Sequence, residues 1–428
     1  MAGFVVTPQT PQRTALAAVF TSVMGCLLLL GIISPARAGD VPDDPRFLDG
    51  TLWGLNNWGQ NDGIPGADIK ALEGWALQTS ASNVIVAILD TGIRYSHEDL
   101  ASNVWRSPID GSHGINAIAE SNDPFDDEGH GTLVAGIIGA VGNNGLGGVG
   151  VAWQVQLMAC KCLNHLNEGS DASVVASLEF AMANGARIVN ASLTSTVFSE
   201  PVSNALVRLR DAGIIVVAPA GDNASDIDAT PVYPACYDLD NIVSVTSFAP
   251  DDCLGFNANY GMTNVDLAAP GDRIFSTYFA ADDSYHPITY PWNAGYGTSF
   301  AAAYVSGSLA LIVQRYPDET HQQIIERLQR STDHAAELNG KCVTGGRLNL
   351  RKALSPPMHL LPIGGGESSV QLHASVGFNR AVVIEASTNL FEWSPVLTNQ
   401  TTTNWSFEFV EIRNPDAEQH YFRAISAP

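Results

Sequence analysis

The sequence predicts an α/β fold with a mostly parallel sheet and helices on both faces, followed by a small all-β region. Short apolar runs alternate with helical patterns from about residue 64 to residue 350. The apolar runs are continuous and do not alternate with polar residues, which is typical of strands buried on both faces of a parallel sheet. A proline- and glycine-rich break follows near residue 355, and only strand-like segments come after it.

The large domain is predicted over residues 39–354. Its strands are predicted at residues 83–89, 155–161, 186–193, 213–218 and 242–247. Helical patterns lie at residues 66–79, 172–184, 201–212, 299–315 and 319–331. This order of elements is that of a layered α/β domain.

A linker is predicted over residues 355–366, where Ser355-Pro356-Pro357 and Gly364-Gly365-Gly366 stand. Residues 367–428 contain four strand-like segments, SSVQLHASV, AVVIEAST, WSFEFVEI and HYFRAIS. They predict a small β module that resembles the β-sandwich additions of secreted bacterial proteins. The segment has no metal-binding or catalytic cluster, so we expect a passive appendage.

The N-terminus is predicted to be a targeting sequence. Arg13 precedes the apolar run 15–34, and Ala36-Arg37-Ala38 is a small-x-small cleavage site. We expect a signal peptide over residues 1–38 and a secreted or periplasmic protein with no stable membrane anchor after cleavage. A retained anchor is the alternative interpretation of the same run.

The chain is strongly acidic, with a formal charge of −23. Such a surface repels nucleic acid and anionic membranes and is compatible with bound cations, so we expect no nucleic-acid partner. We also expect a monomer. Five cysteines follow the leader; the sequence leaves their pairing open, and their spacing is not that of a zinc site.

The first motif with catalytic residue types is Asp90-Thr91-Gly92, directly after the strand 83–89. Asp90 therefore lies at the carboxyl end of a strand, where α/β sheets carry functional groups. Asp-Thr-Gly also marks aspartic proteases, but these need two aspartates that share a proton. The sequence has no second Asp-Thr-Gly or Asp-Ser-Gly, which argues against that class.

Two further motifs hold a histidine and a serine. His130 in Gly129-His130-Gly131 is predicted at a helix start beside an acidic turn, and Ser299 in Gly297-Thr298-Ser299 opens a helix rich in alanine. Alone, His130 would more simply be structural and Ser299 an N-cap. Together, Asp90, His130 and Ser299 supply an orienting carboxylate, a general base and a nucleophile.

In this order the three motifs resemble the subtilisin-like serine proteases (the subtilase family, peptidase S8), and within them the thermitase-like branch. The resemblance covers roughly residues 42–354 and includes Val265-Asp266-Leu267-Ala268-Ala269-Pro270-Gly271. It implies a serine endopeptidase that hydrolyses polypeptides through an acyl-enzyme, with Asp90, His130 and Ser299 as its catalytic triad.

The resemblance also implies where substrate binds. The strand that pairs with substrate falls at Ser192-Leu193-Thr194, and the wall of the side-chain pocket at Ala218-Pro219-Ala220-Gly221. After this glycine the family usually has an asparagine that donates to the oxyanion, but here Asp222 is followed by Asn223. Either a protonated Asp222 serves the oxyanion, or the turn is shifted by one residue and Asn223 donates.

A structural calcium ion is also implied by the resemblance. Asp44, Asp99 and the glycine-rich loop 142–148 fall where the family gathers oxygen ligands. Calcium would receive about six oxygens from two carboxylates, the Asn144 side chain and three backbone carbonyls. Those carbonyls belong to Gly142, Leu146 and Gly148. An ordinary glycine turn with two surface aspartates is the alternative.

A second class of function stays open because some family positions are altered. Thr194 and Ser195 stand where the family has glycines, and Asp222 stands at the oxyanion position. The alternative is therefore a catalytically weak or inactive subtilisin-fold binding protein. An esterase or amidase for small substrates would share the triad. The three intact triad residues favour the peptidase.

Overall fold

The computed structural model describes residues 41–286 and 296–355, and then 359–366, 369–375, 380–388, 393–401, 406–412 and 421–426. The described residues divide into two compact units that meet in sequence between Leu354 and Ser355. The predicted signal peptide, residues 1–38, lies outside the described residues. None of the described helices is long and apolar enough to cross a membrane.

The larger unit is built on a nine-stranded sheet, counted over the described residues. Its strands are β1 (Ser80–Asp90), β2 (Gly114–Asn116), β3 (Gln154–Lys161), β4 (Ile188–Ala191), β5 (Ile215–Pro219), β6 (Ile242–Phe248), β7 (Leu267–Pro270), β10 (Asp333–His334) and β11 (Gly346–Arg347). The remaining pair, β8 (Ser276–Thr277) and β9 (Tyr285–His286), forms a separate antiparallel ladder. The sheet order is β10-β11-β7-β6-β5-β4-β1-β3-β2, and its only antiparallel pair in the described chain is β10 with β11. The predicted parallel sheet is confirmed.

Helices cover both faces of this sheet. They are α1 (Pro45–Leu48), α2 (Ala71–Trp75), α3 (His130–Gly139), α4 (Asp171–Ala183), α5 (Glu200–Asp211), α6 (Thr298–Arg315), α7 (His321–Arg330) and α8 (Leu350–Leu354). Along β1, Val86 and Ile88 join the core that contains α3 and α6, whereas Ala87 and Leu89 join the core under α4 and α5. Burial on both faces is why the strand sequences are continuously apolar.

The helix predicted over residues 66–79 is wrong in extent, because only α2 is helical there. Lys70, just before α2, has a left-handed backbone (φ 57°), and its N–H donates to the Asp68 carboxylate at 2.8 Å. Strand β1 then begins at Ser80. The segment is held by a turn at one end and by the sheet at the other, so one helical turn remains.

Helix α6 runs through the core, which explains its small residues. A Cβ on Gly307 would lie 2.7 Å from Cβ of Val151, so the helix packs at a distance that only glycine allows there. The buried Ser306 hydroxyl donates to Oδ1 of Asn190 on β4 at 2.8 Å. These contacts fix the N-terminus of α6, which carries Ser299, at the carboxyl edge of the sheet.

The C-terminal unit consists of two three-stranded antiparallel sheets, ordered β12-β13-β16 and β15-β14-β17. Its strands are β12 (His359–Gly366), β13 (Ser369–Ser375), β14 (Arg380–Ser387), β15 (Ser394–Thr401), β16 (Ser406–Ile412) and β17 (Tyr421–Ser426). The predicted linker over 355–366 is therefore wrong at its end. Gly364, Gly365 and Gly366 pair with β13, because backbone pairing needs no side chain.

Candidate active site

Asp90 and His130 meet at the carboxyl edge of the sheet. Asp90 ends β1 and His130 begins α3. A Cβ on Gly131 would lie 2.1 Å from the backbone oxygen of Gly92, so glycine is required where the start of α3 approaches the end of β1. The sequence thus brings the carboxylate and the imidazole together through a close backbone contact.

The two side chains form a buried hydrogen-bonded pair. Nδ1 of His130 lies 2.9 Å from both Oδ1 and Oδ2 of Asp90, which is fully buried. The Thr91 N–H also donates to Oδ1 at 2.7 Å and helps to orient the carboxylate. With Nδ1 engaged in this way, Nε2 is the nitrogen available to accept a proton.

The charges around His130 favour its protonated form. Burial lowers the pKa of His130, but the carboxylates of Asp90, Glu128 and Asp126 outweigh burial and raise that pKa to about 9. The Glu128 carboxylate also accepts the His130 N–H at 2.8 Å. His130 therefore has the properties of a strong general base.

Ser299 is the second residue of α6, directly before the residue that contacts His130. The ring of its neighbour Phe300 stacks on the His130 imidazole, with ring centroids 5.7 Å apart. The hydroxyl of Ser192 is 3.5 Å from the Ser299 carbonyl oxygen. The structure thus gathers the predicted nucleophile, the base and one predicted substrate residue at the same edge.

Asp222, and not Asn223, faces this site. Oδ1 of Asp222 accepts the Thr298 N–H at 2.8 Å, and the Gly221 N–H donates to the Thr298 hydroxyl at 2.9 Å. Asn223 is exposed, and its backbone N–H donates to Asn259 at 3.0 Å. The turn is therefore not shifted by one residue.

Desolvation shapes the chemistry of the Asp222 carboxyl. Burial raises its pKa above 3.8, while hydrogen bonds from Thr298 and the charge of His130 act in the opposite direction. A protonated carboxyl could donate one hydrogen bond at this place, whereas the carboxylate can only accept.

The other predicted substrate residues surround the same edge. Ala218, Pro219, Ala220 and Gly221 are buried along the end of β5, and Thr194 is exposed. Ser195 and Tyr233 exchange two backbone hydrogen bonds of 2.8 Å, which hold the segment after Leu193 against the segment that contains Tyr233. Ser195, which stands where the family has a glycine, is thus accommodated in this β-bridge.

Sequence reasoning missed a buried carboxylate that organises the histidine turn. Oδ1 of Asp126 accepts from the Thr91 hydroxyl and the Gly129 N–H, each at 2.9 Å. Oδ2 accepts from the Thr132 N–H at 3.0 Å and from its hydroxyl at 2.5 Å. The acidic turn before His130 was the available indication, but it did not identify which acid points inward.

Three of the predicted calcium ligands, Asp44, Asp99 and Asn144, also come together. Asp44 and Asp99 are fully buried, and both face the loop 142–148. Asp44 accepts the Asn143 N–H at 2.7 Å, and Asp99 accepts the Asn144 amide at 2.9 Å and the Gly148 N–H at 3.1 Å. The two aspartates are therefore not surface residues, as the alternative with an ordinary glycine turn had them. Tyr285, 3.4 Å from Asp99 through its hydroxyl, was not predicted.

The electrostatics of this second site are unfavourable for two charged carboxylates. Burial raises the pKa of Asp99 to about 7, and the charge of Asp44 adds to the effect. Among the described residues no salt bridge reaches either carboxylate, and the nearby Arg46 pairs with Asp49 instead. Two buried carboxylates are oxygen donors of the kind that calcium prefers, and the loop contacts them here through the N–H groups of Asn143 and Gly148.

Comparison with known proteins agrees with this geometry. The profile of the subtilase family (Peptidase_S8) matches residues 81–352. Subtilisin DY of Bacillus licheniformis is 32% identical over 272 residues, which cover 63% of this chain and 90% of that protein. Minor extracellular protease Epr of Bacillus subtilis is 33% identical over 264 residues, which cover 61% of this chain but only 37% of Epr.

More distant relatives extend the likeness. Subtilisin-like protease 1 of Plasmodium falciparum is 28% identical over 305 residues, which cover 63% of this chain and 43% of that protein. A solved protease from Pseudoalteromonas arctica superposes with a TM-score of 0.61 at 26% identity, covering 73% of this chain and 98% of the other. The family profile spans well over half of the sequence. The chain belongs to the subtilase family.

Proposed function

We propose that the protein is a serine endopeptidase that hydrolyses peptide bonds through Asp90, His130 and Ser299. The observation that carries the proposal is the buried pair of Asp90 and His130 beside the N-terminus of α6, with Nδ1 2.9 Å from the carboxylate oxygens. Membership of the family and the names of its relatives, which are proteases, support the same activity.

Each residue has a definite task in this proposal. Ser299 Oγ attacks the substrate carbonyl while Nε2 of His130 takes its proton, and the carbonyl becomes a tetrahedral oxyanion. His130 then gives the proton to the leaving amine, and the C–N bond breaks to leave an ester on Ser299. Water, activated by the same imidazole, releases the acid. Asp90 keeps the imidazole oriented and stabilises its charged form.

The oxyanion is proposed to receive hydrogen bonds from the Ser299 N–H and from Asp222. The start of α6 adds the positive end of its helix dipole. Asp222 contributes only in its carboxylic acid form, because a carboxylate would repel the oxyanion. The pKa of Asp222 is raised by burial, which increases the fraction of that form.

The substrate is proposed to be an extended polypeptide. The segment Ser192-Leu193-Thr194 leaves the sheet beside Ser299 and supplies a backbone edge for β-pairing. The residues from Ala218 to Gly221 would line the pocket for the side chain before the cleaved bond. An edge of this kind favours peptides over small esters.

We further propose a structural calcium ion and export from the cell. Calcium would be held by Asp44, Asp99, the Asn144 side chain and the carbonyls of loop 142–148, where it would neutralise the two buried carboxylates. Export would follow cleavage of the leader after Ala38, as the name of the extracellular Bacillus relative Epr suggests for that protein.

The test compares hydrolysis of casein and of chromogenic peptides by the wild type and by Ser299→Ala. Ser112→Ala, at a serine outside the site that is half-buried like Ser299, is the matched control. We expect the first variant to fall to background and the control to match the wild type. A fluorophosphonate should label the wild type and not Ser299→Ala. Equal background rates and no labelling in the wild type would favour the inactive binding protein instead.

A further inference from the structure

A buried lysine lies next to the Asp90–His130 pair. Lys161 ends β3, directly opposite Asp90 in the parallel register, and its side chain is only 4% exposed. Its ammonium group donates to the Thr91 carbonyl at 2.5 Å, to Asp127 Oδ1 at 2.7 Å and to the Leu163 carbonyl at 3.0 Å. All three ammonium donors are thus used.

These acceptors belong to the segments that carry the pair. Thr91 follows Asp90, and its N–H orients that carboxylate. Asp127 lies in the acidic turn three residues before His130. The segment after β3, which contains the third acceptor Leu163, is also bonded to β1, because the Cys162 N–H donates to the Asp90 carbonyl at 3.0 Å. One ammonium group therefore links the strand that ends in the carboxylate to the turn that leads to the imidazole.

The positive charge of Lys161 lies among several carboxylates that surround His130. The carboxylates that act on His130 come from the end of β1, from the turn before α3 and from the turn after β5, and they are Asp90, Asp126, Glu128 and Asp222. Asp127 adds a fifth acid, which is in contact with Lys161. An excess of negative charge holds a proton on the imidazole, and a buried cation reduces that excess.

We propose that Lys161 is a positioning residue that joins the Asp90 and His130 segments and limits the basicity of His130. The catalytic consequence rests on the proposed peptidase function, whereas the effect on the imidazole does not. Removal of a buried cation should raise the pKa of His130, and removal of its partner Asp127 should lower it. A purely structural linker would not give opposite shifts.

The experiment is an NMR titration of the His130 imidazole in the full-length protein, assigned with His130→Ala. Lys161→Met removes the charge at similar volume, Asp127→Asn removes the exposed partner, and Lys341→Met is the control for loss of a lysine elsewhere. We expect an upward shift of about 0.5 pH unit for Lys161→Met and a downward shift of at most about 0.5 pH unit for Asp127→Asn, as for the loss of one nearby unit charge in a partly screened site. Lys341→Met should leave the titration unchanged.

The midpoint of the acidic limb of kcat/KM against pH should move in the same directions. If neither variant shifts the titration, or both shift it the same way, the proposal is wrong. If Lys161→Met does not fold, Asp127→Asn still decides, since an unshifted or raised pKa there overturns the proposal. Opposite NMR shifts in a protein without hydrolytic activity would uphold the role of Lys161 and refute the peptidase function.

Discussion

Replacing Asp222 by asparagine should make the enzyme faster. Asparagine has the same shape, so its Oδ1 can keep the 2.8 Å hydrogen bond from the Thr298 N–H. Its amide nitrogen then takes the place of Oδ2, beside Gly297, and donates at every pH. The wild type can donate only while Asp222 is protonated, and His130 must be neutral at the same time.

The size of the gain follows from these two requirements. Since the pKa of His130 is raised to about 9, the state with neutral His130 and protonated Asp222 is a minor one at neutral pH. The advantage of Asp222→Asn should grow by about tenfold for each pH unit above the pKa of Asp222, until it reaches the full worth of this donor. Its ceiling is roughly 10²–10³ in kcat, the cost of losing this donor in subtilisin.

The assay is kcat and KM on one chromogenic peptide across the pH range, for the wild type, Asp222→Asn and Asn223→Ala. KM should change little because the interaction is made in the transition state. Asn223→Ala should match the wild type, since that side chain is exposed. A kcat for Asp222→Asn at or below that of the wild type at all pH values would refute the reasoning.

Three further predictions concern stability and assembly of the site. In the Ser299→Ala background, calcium at about 100 times its Kd should add about 2.7 kcal/mol to the free energy of unfolding. Asp99→Asn should abolish this gain. Both are measured by urea titration with and without EDTA. Asp126→Ala should lower the free energy of unfolding by about 3 kcal/mol, because it leaves several buried donors at the Thr91 and Thr132 contacts unpaired; a loss below 1 kcal/mol would contradict this. Gly131→Ala should reduce kcat at least about tenfold by forcing His130 away from Asp90, and unchanged kcat in a folded variant would show that the backbone contact is not needed.

Much of the fold follows from local pattern because the large sheet is buried on both faces. The continuous apolar run at 83–89 predicts β1 since Val86 and Ala87 face different cores, and both cores exclude polar residues. The helix over 66–79 was predicted wrongly because a left-handed residue and the start of β1 override its composition. The glycines of β12 predict a linker from sequence, because their pairing with β13 is a tertiary contact that the local pattern does not contain.

In the site, too, local motifs are predictable from sequence and long-range contacts are not. Motifs predict Asp90, His130 and Ser299 as site residues, since each proposed role needs a particular residue type with small neighbours at a fixed point of an element. The choice between Asp222 and Asn223 depends on a contact with Thr298, 76 positions away in the chain, which the sequence of the turn does not contain. Lys161 gave no indication in sequence because a lysine at a strand end is ordinarily solvated.

The acidic character of this site has a consequence for catalysis. Four carboxylates act on His130, and each makes the imidazolium more stable, so the proposed general base is strong but mostly protonated at neutral pH. Two features of the chain counter this: Lys161 places a cation against the same segments, and protonation of Asp222 removes one negative charge while creating an oxyanion donor. Because the charge of each group affects the protonation of the other, the basicity of His130 is linked to the ability of Asp222 to donate a hydrogen bond. The two groups should therefore titrate as one coupled system, and Asp222→Asn should lower the pKa of His130 as well as raise kcat.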